Sequence, residues 1–420
     1  MTASILTRMW SSLMNQSTTS SEISRTTTMR RAIKSMTNKL KVGIVGAPRG
    51  QSFARSFQAI EETDVTAICD LNIDTAEGVA NQFNIDQKYT DFEKMIQSDL
   101  DIVVVSTPMP SHAPQSTIAL QEGKHVISEV PAATDLQQCW ELAQSVENSR
   151  NKYMMAENYV YTKPNILIRE LAKQGLFGDI YFGEGQYIHE LKKFNEVTKW
   201  RRKWQTGRNG CTYPTHSLGP VLQWFEDRVQ TMSCFGSGHH YKDPSGNQYE
   251  NEDTISMICK TTRGGLIEIR VDMLSDRPHN LNYYSLQGTK GCYEAARGLG
   301  DRPKIWLEDH ADQTVWQPLS AFEEQYMPEI WRNPPMEALQ AGHGGGDYFE
   351  VREFVDSIIN DTKSPIDIYE SLDMTVPGLI SEVSINRDSI PVEVPDFRSI
   401  KRFPKDLPSI LQNSEVISWN

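Results

Sequence analysis

The sequence predicts an α/β protein with a doubly wound parallel sheet at its N-terminal end and a second α/β domain built on a large open, mostly antiparallel sheet. Buried apolar runs alternate with helical patterns between residues 40 and 160, as in βαβ units. Longer alternating strands separated by glycine turns follow from about residue 180. The length of 420 residues exceeds that of one ordinary domain. We expect an extension at 1–39, a first domain at 40–160, a second at 161–385 and a tail at 386–420.

The composition narrows the classes of function. The chain has 42 basic and 55 acidic residues and a formal charge of −13, which argues against a nucleic-acid or anionic-membrane partner. Its longest aliphatic run, Ile102 to Val105, is far shorter than the roughly 18 residues of a membrane span. The six cysteines include no CxxC pair, which fits a reducing compartment and a cytoplasmic location. His239, His240 and His343 lack partners at metal-ligand spacing, so we expect no metal.

The N-terminal extension at 1–39 is basic, rich in serine and threonine, and contains a single acidic residue, Glu22. Two interpretations are open. The segment resembles a peptide that directs a protein to an organelle, or it is a disordered extension with Met36 as the working start. The second interpretation is the simpler one.

The first domain contains four predicted strands, each ending at a turn or a polar residue. These strands lie at 40–46, 65–70, 101–105 and 125–130, and the predicted helices lie at 52–60, 74–83, 112–122 and 135–148. The segment from Ala47 to Gly50 is predicted as a tight turn before the first helix. Crossovers of this kind are almost always right-handed, which gives a Rossmann arrangement.

Ligands of such sheets bind at the carboxyl ends of the strands, here Gly46, Asp70, Thr107 and Glu129. Asp70 follows Gly46 at the spacing expected of an acid that binds the adenosine ribose. A carboxylate there favours NAD over NADP, because it would repel a 2′-phosphate. The backbone N–H groups of Arg49 and Gly50 are expected to face the pyrophosphate at a helix N-terminus.

The second domain is predicted to contain longer strands with antiparallel connections. Its predicted strands lie at 181–191, 254–261, 265–273, 282–287 and 304–307, followed by a helix at 347–359. The proline-rich tail after 385 is expected to wrap over the surface.

Several motifs in one order give the chain a family resemblance. They are Thr107-Pro108 with His112, Glu129-Val130-Pro131, Tyr213-Pro214-Thr215-His216 and Gly342-His343-Gly344-Gly345. Over roughly 40–360 the chain resembles the Gfo/Idh/MocA oxidoreductases. It is most similar to the branch of NAD-dependent α-N-acetylgalactosaminidases, which are glycosidases.

The resemblance implies a set of site residues. In the glycosidases a tyrosine follows an Arg-Pro pair, whereas here His279 follows Arg277-Pro278 and takes that substrate-binding position. The implied cofactor contacts are Gly46, Arg49, Gly50, Asp70, Thr107, His112, Glu129, Val130 and Asn158, and the implied sugar contacts are Tyr187, Arg201, Tyr213, Thr215, His216 and His279.

Two departures separate the chain from ordinary dehydrogenases of this family. Their Lys between Glu and Pro is Val130 here, and valine cannot exchange a proton. Their Asp four residues before the retained His216 is Thr212. The glycosidase branch lacks the same two groups, so both departures point to it.

The leading hypothesis is therefore a glycosidase that oxidises carbon 3 of a sugar transiently, eliminates the aglycone, adds water and reduces the ketone again. His216, Tyr213 and Tyr187 are the candidate catalytic residues, with the identity of the base left open, and Arg201 would polarise the ketone or bind an acidic group. His189, on the same strand face as Tyr187, is interpreted as a structural residue.

Two alternatives stand beside this hypothesis: a net NAD(P)-dependent sugar or inositol dehydrogenase, and a non-catalytic NAD-binding protein. The resemblance also implies a homo-oligomer formed through the open sheet.

Overall fold

A computed structural model describes residues 39–278 and 282–403 of this chain. The predicted extension, apart from Lys39, and the substrate-binding candidate His279 lie outside the described residues. None of the described helices is long and apolar enough to cross a membrane.

The first sheet is parallel and has six strands in the order β3-β2-β1-β4-β5-β6. The strands are β1 (Leu40–Val45), β2 (Thr63–Cys69), β3 (Gln87–Tyr89), β4 (Ile102–Val105), β5 (His125–Ser128) and β6 (Tyr153–Met155). Its helices are α1 (Ala47–Gln58), α2 (Ile73–Phe83), α3 (Phe92–Ile96), α4 (His112–Gln121) and α5 (Leu136–Glu147). The strand order reverses between β1 and β4, where sheets of this kind form a ligand crevice. The predicted doubly wound sheet is confirmed.

The segment after β1 differs from the prediction. Ala47 to Gly50 form the first turn of α1 and not a separate turn. Pro48 is tolerated there because the backbone N–H groups of the first helical turn have no hydrogen-bond partner within the helix, so the missing N–H of proline costs nothing. Gly46 precedes the helix with φ 92°, and a Cβ there would lie 2.4 Å from the backbone oxygen of Ser106. Only glycine fits this conformation and this close approach between β1 and β4.

The second sheet has nine strands in the order β14-β13-β12-β11-β7-β10-β9-β8-β15. The strands are β7 (Ile180–Ile188), β8 (Val229–Gly236), β9 (Thr254–Thr261), β10 (Leu266–Asp272), β11 (Asn282–Gly288), β12 (Gly291–Glu294), β13 (Lys304–Leu307), β14 (Gln317–Pro318) and β15 (Val392–Glu393). The pair of β7 and β10 is parallel and the other pairs are antiparallel. The predicted open, mostly antiparallel sheet is confirmed.

Two of the helices that follow β6, at Thr215–Phe225 and Ile368–Ile385, pack against the second sheet. The helices after β6 are α6 (Lys163–Lys173), α7 (Lys192–Val197), α8 (Lys199–Trp204), α9 (Thr215–Phe225), α10 (Glu323–Tyr326), α11 (Glu329–Arg332), α12 (Met336–Gln340), α13 (Gly346–Ile359) and α14 (Ile368–Ile385), and short 3-10 turns lie at Met109–Ser111, Glu308–His310, Leu319–Phe322 and His343–Gly345. Helix α9 packs against β7, where a Cβ on Gly185 would lie 2.0 Å from the backbone oxygen of Ser217. Glycine at 185 therefore lets the helix that carries His216 reach the sheet.

The tail also differs from the prediction of a surface segment. Its residues Val392 and Glu393 form β15, which pairs with β8 at the edge of the second sheet. Val392, Val394 and Phe397 are buried, so this part of the tail completes the core.

Candidate active site

The carboxyl ends of β1, β2, β4 and β5 form one edge of the first sheet. Asp70, at the end of β2, accepts hydrogen bonds from the backbone N–H groups of Ala47 and Asn72, both at 3.0 Å. It therefore caps α1 while it remains partly exposed at the edge where the ribose was expected.

Arg49 links this edge to the C-terminal half of the chain. Its guanidinium pairs with Glu129 and lies 3.2 Å from Asp347 at the start of α13. Burial raises the pKa of Asp347, but the hydrogen bond from His343 and the charge of Arg49 outweigh it and hold this pKa below its usual range. The N–H of Gly50 donates to the Gly46 oxygen inside α1, whereas we expected it to face a phosphate.

His112 joins the loops after β4 and β5. Its Nε2 lies 2.7 Å from the backbone oxygen of Thr107, and its Nδ1 lies 2.9 Å from that of Pro131. Both ring nitrogens are thus used by the main chain, and the Thr107 hydroxyl donates to Gln115. Thr107 and His112 were predicted to contact the cofactor, and in the structure their hydrogen bonds are those of residues that hold the loops in shape.

Four aromatic side chains, from the segment after β6, strand β7, the loop before α9 and α9 itself, lie in contact, and we call them the aromatic cluster: Tyr159, Tyr187, Tyr213 and His216. The His216 ring lies 4.4 Å from the Tyr159 ring, 4.9 Å from the Tyr187 ring and 5.1 Å from the Tyr213 ring, between centroids. The three predicted catalytic residues are therefore brought together, from β7, the loop before α9 and α9 itself.

The tyrosines of this cluster are hydroxyl donors and not bases at neutral pH. Burial raises the pKa of Tyr187 and of Tyr213 well above the ordinary value of 10. The Tyr187 hydroxyl is hydrogen-bonded to Nδ1 of His189 at 2.8 Å. Imidazole is the usual general base near neutral pH, so His216 is the candidate base of the cluster.

Arg201 lies on α8 beside the cluster, and its charge acts on both Tyr187 and Tyr213. Its guanidinium stacks on the Trp200 ring at 4.3 Å, and its Nε is buried without a hydrogen-bond partner in the described structure. The Thr215 hydroxyl is likewise buried and without a partner there. Both groups are able to bind an additional acceptor.

Sequence reasoning missed Glu157 and Tyr159 and treated His189 as structural only. Glu157 is fully buried, and its Oε1 accepts a hydrogen bond from Nδ1 of His216 at 2.7 Å. Both missed residues follow β6, a strand of three residues. Recognising that strand would have placed them at the carboxyl edge of the sheet, where ligands bind.

The residues at this edge fit a dinucleotide. Asn158 is buried and its Oδ1 has no partner among the described residues, so it can accept a hydrogen bond from a bound amide. Val130 is buried, and its backbone N–H donates to Oε2 of Glu129 at 3.2 Å. Across residues 39–278 and 282–403, no group of three His, Cys, Asp or Glu side chains is arranged to hold a metal ion.

Two family models match the chain. Residues 40–157 match the oxidoreductase family with an NAD-binding Rossmann fold, and residues 161–402 match the C-terminal domain of glycosyl hydrolase 109. The expected NAD cofactor is thereby confirmed.

Curated relatives cover most of the chain. A glycosyl hydrolase family 109 protein of Saccharopolyspora erythraea is 32% identical over 392 residues, which cover 85% of this chain and 83% of the relative. An α-N-acetylgalactosaminidase of Shewanella oneidensis is 32% identical over 400 residues, which cover 85% of each chain.

Solved structures share the fold. Levoglucosan dehydrogenase in complex with NADH and levoglucosan aligns with a TM-score of 0.74 at 18% identity, covering 86% of this chain and 100% of that one. A dehydrogenase of Bordetella pertussis in complex with NADH and UDP-GlcNAcA aligns with a TM-score of 0.68 at 19% identity, covering 86% and 99%. The chain therefore belongs to the Gfo/Idh/MocA oxidoreductases and, within them, to the glycosyl hydrolase 109 family.

Proposed function

We propose that this chain is an NAD-dependent glycosidase that cleaves a glycoside by transient oxidation at carbon 3. The observation that carries the proposal is the buried aromatic cluster around His216, in a chain that has Val130 where ordinary dehydrogenases of the family have a lysine. Proton exchange at the site depends on an imidazole and tyrosine hydroxyls, because Val130 has no ionisable group and the Thr212 hydroxyl donates to the backbone oxygen of Gln205.

The cofactor would be held by Asp70 at the ribose, by the N-terminus of α1 at the pyrophosphate and by Asn158 at the nicotinamide end. Arg49, Glu129 and His112 would shape this crevice through their contacts with Asp347, Thr107 and Pro131. Bound NAD⁺ supplies a reversible hydride acceptor for carbon 3 of the sugar.

The chain's own residues would manage the protons of the elimination, and the proton of the carbon 3 hydroxyl would pass to water as hydride leaves carbon 3. His216 removes the carbon 2 proton, which a ketone at carbon 3 makes acidic, and the aglycone leaves carbon 1 with the electron pair of its bond. Tyr213 and Tyr187 donate hydrogen bonds to sugar oxygens, since their hydroxyls stay protonated. Arg201 stabilises negative charge that develops on the ketone oxygen. The Thr215 hydroxyl, which is buried without a partner among the described residues, is a further donor for the sugar.

A glycoside panel tests this function. We expect the purified protein to release nitrophenol from a nitrophenyl glycoside, starting with the α-N-acetylgalactosaminide that the name of the Shewanella oneidensis relative suggests. Absorbance at the NADH maximum is expected to stay flat, because hydride is returned in every cycle. Aglycone release that ceases after one NADH per active site would contradict the redox-neutral cycle.

The second candidate is a net sugar dehydrogenase, which the likeness to levoglucosan dehydrogenase favours. The same protein would then produce NADH steadily from a free sugar and added NAD⁺. A non-catalytic NAD-binding protein would show neither signal.

We further propose a homo-oligomer that buries the outer face of the second sheet. Support comes from Phe235 on β8, Ile258 on β9 and Leu266 on β10, large apolar side chains that are exposed on the sheet's outer face. Replacing all three by aspartate is expected to give a monomer by light scattering coupled to gel filtration, whereas an unchanged mass would exclude this face.

A cytoplasmic location is also proposed, and the six free cysteines support it.

A further inference from the structure

A buried carboxylate lies directly behind the candidate base. Glu157 accepts hydrogen bonds on Oε1 from His216 Nδ1, at 2.7 Å, and from the Tyr159 backbone N–H, at 3.1 Å. Its Oε2 is buried without a hydrogen-bond partner within the described ranges. Within the described ranges, Glu157 is paired with His216 and forms no ion pair with an Arg or Lys side chain. Burying a carboxylate with so little compensation is costly, so packing alone is a poor reason to keep it.

The contact with Glu157 decides which nitrogen of the imidazole can act. A carboxylate at Nδ1 favours the tautomer with the proton on Nδ1, which leaves the lone pair on Nε2. The same contact stabilises the ring once Nε2 has taken up a proton. The three tyrosine rings of the aromatic cluster surround the imidazole and hold its plane.

We propose that Glu157 is the positioning residue of the reaction, fixing the His216 imidazole in the tautomer that removes the carbon 2 proton. This inference rests on the proposed function. In the step, the proton moves from carbon 2 to Nε2, the C–H electron pair forms the carbon 1–carbon 2 double bond, and the aglycone departs with the pair of the carbon 1–oxygen bond. The imidazolium then lies against the Glu157 side chain, to which it is hydrogen-bonded through Nδ1.

Four tyrosines and one carboxyl group interact electrostatically with Glu157: Tyr159, Tyr187, Tyr213, Tyr284 and Glu350. Burial raises the pKa of each of these tyrosines above the ordinary value of 10, so their hydroxyls stay protonated at neutral pH. Burial also raises the pKa of the Glu350 carboxyl on α13. The charge of Arg201 acts on Tyr187 and Tyr213.

The kinetic test compares wild type with Glu157→Gln and Glu157→Asp. For Glu157→Gln we expect kcat to fall about tenfold with a much smaller change in KM, because ground-state sugar contacts are intact. The pH profile of kcat/KM should change as well, because an amide in place of the carboxylate alters the charge beside the imidazole. Glu157→Asp retains the charge and should restore part of the loss.

A second measurement does not depend on activity. In the resting protein labelled with ¹⁵N-histidine, the His216 signals, assigned by their loss in His216→Ala, should show the Nδ1–H tautomer. Glu157→Gln should give a mixture, because the amide can present either its oxygen or its NH₂ group to Nδ1. Asp253→Asn is the matched control, since Asp253 binds Nδ1 of His240 at 2.7 Å outside the aromatic cluster. This variant should leave kcat and the pH profile unchanged.

The outcomes separate the two claims. An unchanged tautomer and an unchanged pH profile in Glu157→Gln would overturn the positioning role, even if kcat falls through a change in packing. If the wild type cleaves no glycoside, the proposed function fails, and the tautomer measurement alone then decides whether Glu157 positions the imidazole.

Discussion

Replacing His216 with alanine is expected to lower kcat for glycoside cleavage by about 10³- to 10⁴-fold while NAD stays bound. A positioned general base contributes about 10²- to 10⁴-fold, and the tyrosines of the aromatic cluster cannot replace it because burial raises their pKa. The cofactor is expected to stay because its proposed contacts, at Asp70, α1 and Asn158, lie on the first sheet and its loops.

The measurement pairs initial rates of nitrophenol release with the amount of NAD freed on denaturing the purified variant. The fold should survive, since the hydrogen bond that Tyr284 donates to the backbone oxygen of His216 does not involve the imidazole. His240→Ala serves as the control, because it removes a histidine that also pairs with a buried carboxylate but lies outside the cluster. Activity within a few-fold of wild type in His216→Ala would rule out His216 as the base.

Long apolar runs were the readily predicted part of the fold. Ile102 to Val105 is fully buried in β4, and its four β-branched residues fit a strand that is covered on both faces. β6 could not be predicted in this way, because Tyr153, Met154 and Met155 form a run too short to distinguish from a loop or a buried helix. Because β6 was not predicted, the position of Glu157 and Tyr159 at the edge of the sheet was missed as well.

Helix breakers concealed two helices, of which the first carries His216. Helix α9 contains Gly219 and Pro220 in its interior, and α14 contains Pro377 followed by Gly378. Proline costs an isolated helix about 3 kcal/mol, so the sequence around Tyr213 and His216 is typical of turns. Burial of nearly every residue of α9 offsets that cost. The residue types therefore indicated the chemistry of the site from the sequence alone. The helix α9 that positions His216 could not be predicted, because its stability depends on tertiary packing.

The candidate cofactor residues also differ in whether the sequence alone could locate them. Asp70 could be located from its distance to Gly46 and its place after an apolar strand. The pairing of Arg49 with Asp347 joins residues almost 300 positions apart, and no local pattern indicates it. Arg49 was predicted from its place after the first strand and from the family resemblance, while its partner on α13 was found only in the structure.

Replacing Asp70 with asparagine is expected to shift the preference for NAD⁺ over NADP⁺ by about 10²-fold, measured as the ratio of the two dissociation constants in protein stripped of cofactor. NAD⁺ binding should weaken, since hydrogen bonds from the ribose hydroxyls to a charged acceptor contribute about 1.5–3 kcal/mol. NADP⁺ binding should strengthen at the same time, because a 2′-phosphate would no longer meet a carboxylate at the end of β2. Asparagine retains a side-chain oxygen, so it still caps one of the N–H groups of Ala47 and Asn72.

The control for Asp70→Asn must separate loss of a helix cap from loss of a ribose contact. Asp367 caps α14 by accepting from the N–H groups of Tyr369 and Glu370, so Asp367→Asn removes the same charge from the same kind of position outside the first sheet. Both variants should lower the melting temperature slightly, because each cap contributes about 1 kcal/mol. Only Asp70→Asn should change the ratio of dissociation constants. An equal ratio in the two variants would mean that Asp70 only caps α1 and does not contact the ribose. Selection against the 2′-phosphate would then have to come from another group at the edge of the first sheet.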